Sequence, residues 1–330
     1  MTKGRIFSGM QPSGRFHLGN YMGALENWVK LQHEYECFFS IVDLHALTSS
    51  FEDTSKLQEN VMEMAIDWLS AGLDPEKNVI FLQSHVKEHA ELYLLLGMST
   101  PLSWLERVPT YKDKLQQLGA QGKDINTYGF LGYPVLMAAD IMLYKANAVP
   151  VGEDQAAHLE LTRELVRRFN YLYKQEIFPE PQAVYSQSKV LPGIDGRKMS
   201  KSYGNTIPFG AAPAEVKERI RLMITDPQRI KKTDLGNPEV CVVYTFQKIF
   251  NSENAESIAC QCRAGEIGCV QCKNCLAERM NALLADIHIR RESLKAKPGY
   301  VKEVLEHGNE RARLVAAANM EEIRKAMNVL

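Results

Sequence analysis

Apolar positions in the first two hundred residues follow two periods in alternation. Continuous apolar runs at 5–8, 37–42 and 79–82 are short and bounded by polar or turn residues, as in strands buried on both faces. Between them apolar residues recur at three- and four-residue intervals. Tyr21, Leu25, Trp28, Val29 and Leu31 form one stripe, and Val61, Ala65, Trp68 and Leu69 form another over 57–69 that Gly72 closes. Strand, helix of about fifteen residues and strand, in that order, predict a right-handed βαβ unit and an α/β fold with a parallel sheet. Helical periodicity resumes over 92–105, broken at Pro101, and over 133–144. A short strand at 149–151 then leads into a helix over 155–169, with Asp154 able to cap it. From Pro213 onward only the helical period is left, and helices are expected over 216–225, 243–250, 276–289, 300–306 and 309–328. The pattern divides the chain into an α/β part, 1–205, and a helical part, 206–330.

Composition narrows the class. A chain of 330 residues with 45% hydrophobic and 24% charged residues has the make-up of a globular protein with room for two domains. No apolar run approaches the ~20 residues needed to span a bilayer, and the N-terminus lacks a charged-then-apolar secretory pattern, so a cytoplasmic location is expected. A net charge of −1 excludes a global basic field as the basis for nucleic-acid binding. Any RNA contact must rest on local strips, such as Lys217, Arg219, Arg221, Arg229, Lys231 and Lys232, or Arg290, Arg291, Lys295 and Lys297. Solvated helix faces would read the same way.

Three stretches carry chemistry. Phe7-Ser8-Gly9-Met10-Gln11-Pro12-Ser13-Gly14-Arg15-Phe16-His17-Leu18-Gly19-Asn20 runs from a strand through a glycine-bearing turn into a helix. Such a turn aims backbone N–H groups and the positive helix end at one point, where phosphate oxygens are stabilised. His17 and Asn20 would project donors there, and Gly19 would let a flat base or ribose approach. The spacing is neither that of a phosphate loop nor that of a dinucleotide turn. In the second stretch, Asp140 stands among the apolar residues of 133–144, which is costly unless something donates to it. The third, Gly196-Arg197-Lys198-Met199-Ser200-Lys201-Ser202-Tyr203-Gly204-Asn205, is a basic, hydroxyl-rich loop flanked by glycines, able to close over a polyphosphate and reopen.

His17-Leu18-Gly19-Asn20 resembles the His-Ile-Gly-His motif of class I aminoacyl-tRNA synthetases, and Lys198-Met199-Ser200-Lys201-Ser202 matches their Lys-Met-Ser-Lys-Ser loop without substitution. Gln11-Pro12-Ser13-Gly14 ahead of the first motif resembles the tryptophanyl branch, and the resemblance spans essentially the whole chain. It implies a Rossmann-like catalytic domain, a helical anticodon-binding domain whose last helix can pack back on the first, and usually a homodimer. It also implies ATP with Mg²⁺, L-tryptophan and tRNA(Trp) as substrates. His17, Asn20, Lys198 and Lys201 would be catalytic. Gln11, Ser13, Gly19, Asn20, Lys114, Gly152, Asp154, Lys198, Met199, Ser200, Lys201 and Ser202 would hold ATP. Phe7, His45, Tyr133, Met137, Asp140, Val149, Val151 and Gln155 would hold tryptophan, with Asp140 accepting the indole N–H. An indole is a large apolar body with a single donor, so a greasy slot with one acceptor is its complement. Tyrosyl-tRNA synthetase, a related nucleotidyltransferase and an RNA-binding regulator that kept the fold remain open at this point.

Cysteine usage is lopsided. Cys37 stands alone, whereas Cys241, Cys260, Cys262, Cys269, Cys272 and Cys275 lie within 35 residues, and in a cytoplasmic chain that suggests metal rather than disulfides. Cys269-x₂-Cys272-x₂-Cys275 resembles a ferredoxin-type run. A minority of bacterial tryptophanyl synthetases carry a [4Fe–4S] cluster, and the resemblance implies Cys241, Cys262, Cys269 and Cys272 as its ligands. The first gap is slightly shorter here, so Cys260 and Cys275 remain substitutes, and a tetrahedral Zn²⁺ site remains open.

Overall fold

The computed structural model describes residues 4–109, 111–112, 125–152, 155–185 and 191–329. Five parallel strands form one sheet in the order β3-β2-β1-β4-β5: β1 (Arg5–Met10), β2 (Glu36–Ile41), β3 (Val79–Leu82), β4 (Ala148–Val151) and β5 (Gln182–Tyr185). The chain builds outward from β1 to β3 and then crosses to the other side for β4. The boundary between β1 and β4 is therefore the switch point where open α/β sheets hold ligands. These two strands pair at Ile6–Ala148 alone, whereas β1 pairs with β2 along its whole length, so a crevice opens past Ile6. Strand β5 is short and half-exposed; its weak apolar signal left it unforeseen.

The expected elements form with shifted edges. The first stripe folds as α1 (Leu18–Asn20), a π turn (Tyr21–Leu25) and α2 (Glu26–Leu31). Helix α3 (Asp43–Ser50) follows β2, and α4 (Leu57–Ala71) ends at Gly72 with φ 111°. Pro101 separates α5 (Glu88–Ser99) from α6 (Leu102–Glu106). Helices α7 (Tyr128–Leu143) and α8 (Ala156–Tyr173) flank β4. Trp28 stacks on Phe39 at 4.8 Å and meets Trp68 edge-on at 5.1 Å, which locks α2 and α4 onto the sheet. No helix among the described residues is long and apolar enough to cross a membrane.

Beyond residue 206 lie α9 (Pro213–Arg221), α10 (Val242–Phe250), α11 (Ser252–Arg263), α12 (Cys269–Lys295) and α13 (Pro298–Met327). The helices expected at 300–306 and 309–328 are one. Gly308 does not end the first of them: a Cβ at that position would lie 1.8 Å from the Ile80 carbonyl oxygen, so the glycine is there to let α13 lie directly on β3. Asn309 then caps the sheet edge, accepting from the Leu82 N–H at 2.9 Å.

Some cations of the two basic strips serve the fold itself. Arg229 is buried, and Arg219 donates to the carbonyls of Thr206 and Gly204. Arg291 is buried in ion pairs with Asp67, at 2.6 Å, and with Glu63, while Arg290 donates to Ser70 O. Arg290 and Arg291 thus join α12 to α4, while Lys217, Arg221, Lys231, Lys232, Lys295 and Lys297 stay exposed.

Candidate active site

The crevice beyond Ile6 and Ala148 is a cavity of about 340 Å³. Its lining includes every residue assigned above to tryptophan: Phe7 from β1, His45 from α3, Tyr133, Met137 and Asp140 from α7, Val149 and Val151 from β4, and Gln155 ahead of α8. Gln11 and Gly152, assigned to ATP, line it too. The walls are mostly apolar because the ends of β1 and β4 and one face of α7 converge on it. Asp140 is the one carboxylate among the lining residues, and it is 1% exposed.

That acid is paired with histidines rather than with Lys or Arg. Gln83 Nε2 donates to Oδ1 at 2.7 Å and Oδ2 at 3.0 Å. His89 Nδ1 lies 2.6 Å from Oδ1, and His45 Nε2 lies 3.0 Å from Oδ2. Burial pushes the carboxyl up, but the His89 and His45 imidazoles against it outweigh burial and hold the group at about 2, ionised at neutral pH. Gln83 and His89 escaped the reading of the sequence. The available signal was their place just after a buried strand, at the carboxyl edge of the sheet, where polar residues face ligands.

The turn and the basic loop meet beside this cavity. His17 caps α1: its Nδ1 accepts the Asn20 N–H at 3.2 Å, and Asn20 Oδ1 accepts the His17 N–H at 3.3 Å. Burial, aided by the Lys201 charge, lowers the His17 imidazole to about 4, so it is neutral at pH 7. With Nδ1 accepting, the proton sits on Nε2, and the ring can donate from there. Asn20's amide nitrogen takes no part in the cap.

Lys201, although exposed as a residue, turns its ammonium onto the first motif, donating to Ser13 O and Gly14 O at 3.0 Å each and to Ser13 Oγ at 3.3 Å. Loss of solvent around it lowers its pKa to about 8. Met199 is buried, and a Cβ on Gly19 would lie 3.3 Å from its sulfur, so the loop packs on the turn where only hydrogen fits comfortably. Lys198 is exposed, and Ser200 Oγ lies 2.9 Å from Ser202 Oγ. The base of the loop is stitched to the turn by Leu18 N–H to Ile207 O and Phe209 N–H to Phe16 O, both 2.9 Å. Asn205, 2% exposed, knits the loop: it accepts from Ser200 N–H at 2.8 Å and donates to Asp195 Oδ1 at 2.7 Å. Lys114 and Asp154 lie outside the described residues.

The cysteines of the helical part converge only loosely. Cys241 precedes α10, Cys262 lies near the end of α11, and Cys269 and Cys272 open α12. All are free thiols. Burial raises Cys272 to about 11, and the Cys241, Cys262 and Cys275 thiols beside it add to the shift. N–H donors approach the sulfurs: Arg229 reaches Cys262 at 3.4 Å, Gln247 reaches Cys272 at 3.6 Å and Asn251 reaches Cys275 at 3.8 Å. Cys260 stands apart, exposed and bonded to Glu256. Among the described residues no three His, Cys, Asp or Glu side chains are grouped to hold a metal ion, so the tetrahedral Zn²⁺ alternative has no ready site.

Comparison with known proteins agrees with the geometry. Residues 2–285 match the family model for class I tRNA synthetases of the W and Y type. A tryptophan–tRNA ligase of Thermotoga maritima is 51% identical over 99% of each chain, and that of Aquifex aeolicus is 43% identical over 98% of this chain and 100% of its own length. The crystal structure of the Campylobacter jejuni tryptophanyl-tRNA synthetase, complexed with ADP and tryptophan, superimposes with a TM-score of 0.89 at 37% identity, covering 98% of this chain and 100% of that one. A greasy switch-point cavity with one buried acid, set beside a glycine-bearing turn and a basic loop, thus has relatives of the same fold along its whole length, and the chain belongs to the class I tryptophanyl-tRNA synthetases of bacterial type.

Proposed function

We infer that the chain joins L-tryptophan to tRNA(Trp) in two steps at this cavity. The tryptophan carboxylate attacks the α-phosphate of Mg²⁺-ATP and expels pyrophosphate; a hydroxyl of the terminal adenosine of tRNA(Trp) then takes the aminoacyl group from the adenylate. No protein nucleophile is needed, because the substrate supplies one. What the reaction requires is positive charge and N–H donors around a crowded phosphate.

We assign those donors to His17 Nε2–H, Asn20, Lys198 and Lys201, with Gln11, Ser13, Gly19, Gly152, Met199, Ser200 and Ser202 shaping the nucleotide seat. The observation that carries the reading is Asp140, an ionised acid buried in an apolar cavity that an indole would fill. A rival side chain that left such an acceptor unmatched would be rejected by about 10⁴–10⁵, so discrimination needs no editing step. Asp140→Ala should reduce the preference for tryptophan over phenylalanine far more than it raises KM for ATP in pyrophosphate–ATP exchange. Equal losses in both would make Asp140 merely structural.

We propose further that residues 206–330 form the tRNA-contacting part, and that two copies associate through the exposed apolar residues Leu94, Met98, Leu102 and Tyr128. For the cysteines the favoured reading is a [4Fe–4S] cluster on Cys241, Cys262, Cys269 and Cys272, with Cys275 as the substitute. Supporting it are the mutual influence of these thiols and the N–H···S donors around them. When bound, such a cluster would supply a rigid crosslink among α10, α11 and α12.

A further inference from the structure

Asp140 is reached from two sides. On the cavity side stands His45, whose Nε2 is 3.0 Å from Oδ2. Behind the wall stand Gln83 and His89, both 0% exposed and neither lining the cavity. A carboxylate offers about four lone-pair sites. Gln83 uses two of them, His89 one and His45 one. Three of the four contacts thus come from groups outside the cavity lining, so an incoming indole N–H meets the carboxylate from the Oδ2 side, next to His45.

The rear support has a second link. His89 Nε2 lies 2.9 Å from the Tyr144 hydroxyl, and Tyr144 is 0% exposed. Its ring is stacked against Phe7 at 5.6 Å and Phe38 at 4.6 Å, and it meets Phe81 edge-on at 5.5 Å, so packing fixes where the hydroxyl points. Burial and the charges of Asp140 and Glu88 hold the phenol protonated, able to donate to Nε2 while Nδ1–H faces the carboxylate.

We propose that Tyr144 and His89 are positioning residues for recognition of the indole N–H: Tyr144 fixes the His89 ring, and His89 with Gln83 fixes the carboxylate plane so that Oδ2 faces the cavity. The proposal rests on Asp140 being the indole acceptor. Hydrogen bonds weaken steeply as the angle at hydrogen departs from linear, so an acceptor free to rotate would discriminate poorly even with its charge intact. Without the Tyr144 hydroxyl, His89 Nε2 becomes a buried ring nitrogen without its partner, and the orientation of Nδ1–H is no longer enforced.

The test uses the full chain in pyrophosphate–ATP exchange. It compares kcat/KM for tryptophan with that for the isostere carrying sulfur in place of the indole N–H; their ratio is the N–H preference. Tyr144→Phe keeps the ring stacking and removes only the hydroxyl. It should lower the preference at least about tenfold, with KM for ATP unchanged. His89→Gln should lower it as far or further, and thermal melting identifies any variant that fails to fold. Asp140→Asn is the control for the underlying reading. If Asp140→Asn leaves the preference intact, the acceptor assignment falls and the proposal with it. If Asp140→Asn collapses the preference while Tyr144→Phe does not, the acceptor stands and the positioning chain is refuted. A Tyr144→Phe variant that loses both substrates equally is a packing defect and also overturns the proposal.

Discussion

Lys201→Ala probes the nucleotide half of the site. In the free protein the ammonium holds the loop to the turn through Ser13 O, Gly14 O and Ser13 Oγ at 3.0–3.3 Å. In the role proposed for Lys201 those acceptors are exchanged for phosphate oxygens during reaction, so the substitution would remove both a latch and a transition-state donor. Hydrogen bonds to charged groups are worth about 1.5–3 kcal/mol, less where water competes. Loss of one preorganised donor at a developing charge costs about 10²–10³ in kcat, about 2.7–4 kcal/mol. The expected result in tryptophan-dependent pyrophosphate–ATP exchange is a fall of that order in kcat. KM for tryptophan should change little, because the hydrogen-bond partners of Asp140, at positions 45, 83 and 89, lie on elements other than the loop.

The pH dependence follows from the same lysine. In the free protein its pKa is lowered to about 8, and a bound polyphosphate would raise it again. Below pH 8 it is charged in both states, so ATP affinity should be level there. Above pH 8 the free protein loses the proton that the complex keeps, so affinity should fall as pH rises, and this fall should vanish in Lys201→Ala. Unchanged exchange, or an equal rise in the tryptophan KM, would refute the assigned role.

Arg291→Ala strands Asp67 in the joint between α4 and α12; chemical denaturation should register a loss of about 3–5 kcal/mol, and a loss below about 1 kcal/mol would mean the pair is not a fastening. Leu94→Asp combined with Met98→Asp should shift the protein from dimer to monomer in analytical ultracentrifugation; a dimer that persists would move the interface elsewhere. Protein purified without oxygen should contain iron and sulfide and absorb visible light, and Cys262→Ser should abolish all three. Zinc in their place, or neither metal, would remove the cluster.

Much of the candidate site was legible from local pattern. The strand-turn-helix at 5–20, the acid in an apolar helix and the basic loop each reveal their chemistry within about fifteen residues, because backbone direction and side-chain type suffice to read them. Tertiary structure decided what those segments meet. Lys201 lies 188 positions from the Ser13 oxygens it holds, and Asp140 takes its partners from positions 45, 83 and 89. A sequence states that a buried carboxylate needs donors; only the packed chain selects them. The same limit explains Gly308, which reads locally as a break and proves to be the point where a long helix touches a strand. It also explains Arg291, whose charge resembles an RNA contact until Asp67 is found beside it. Local periodicity fixes which elements form, because it depends on near neighbours, whereas the use made of a charge or a glycine depends on groups that folding brings from far along the chain.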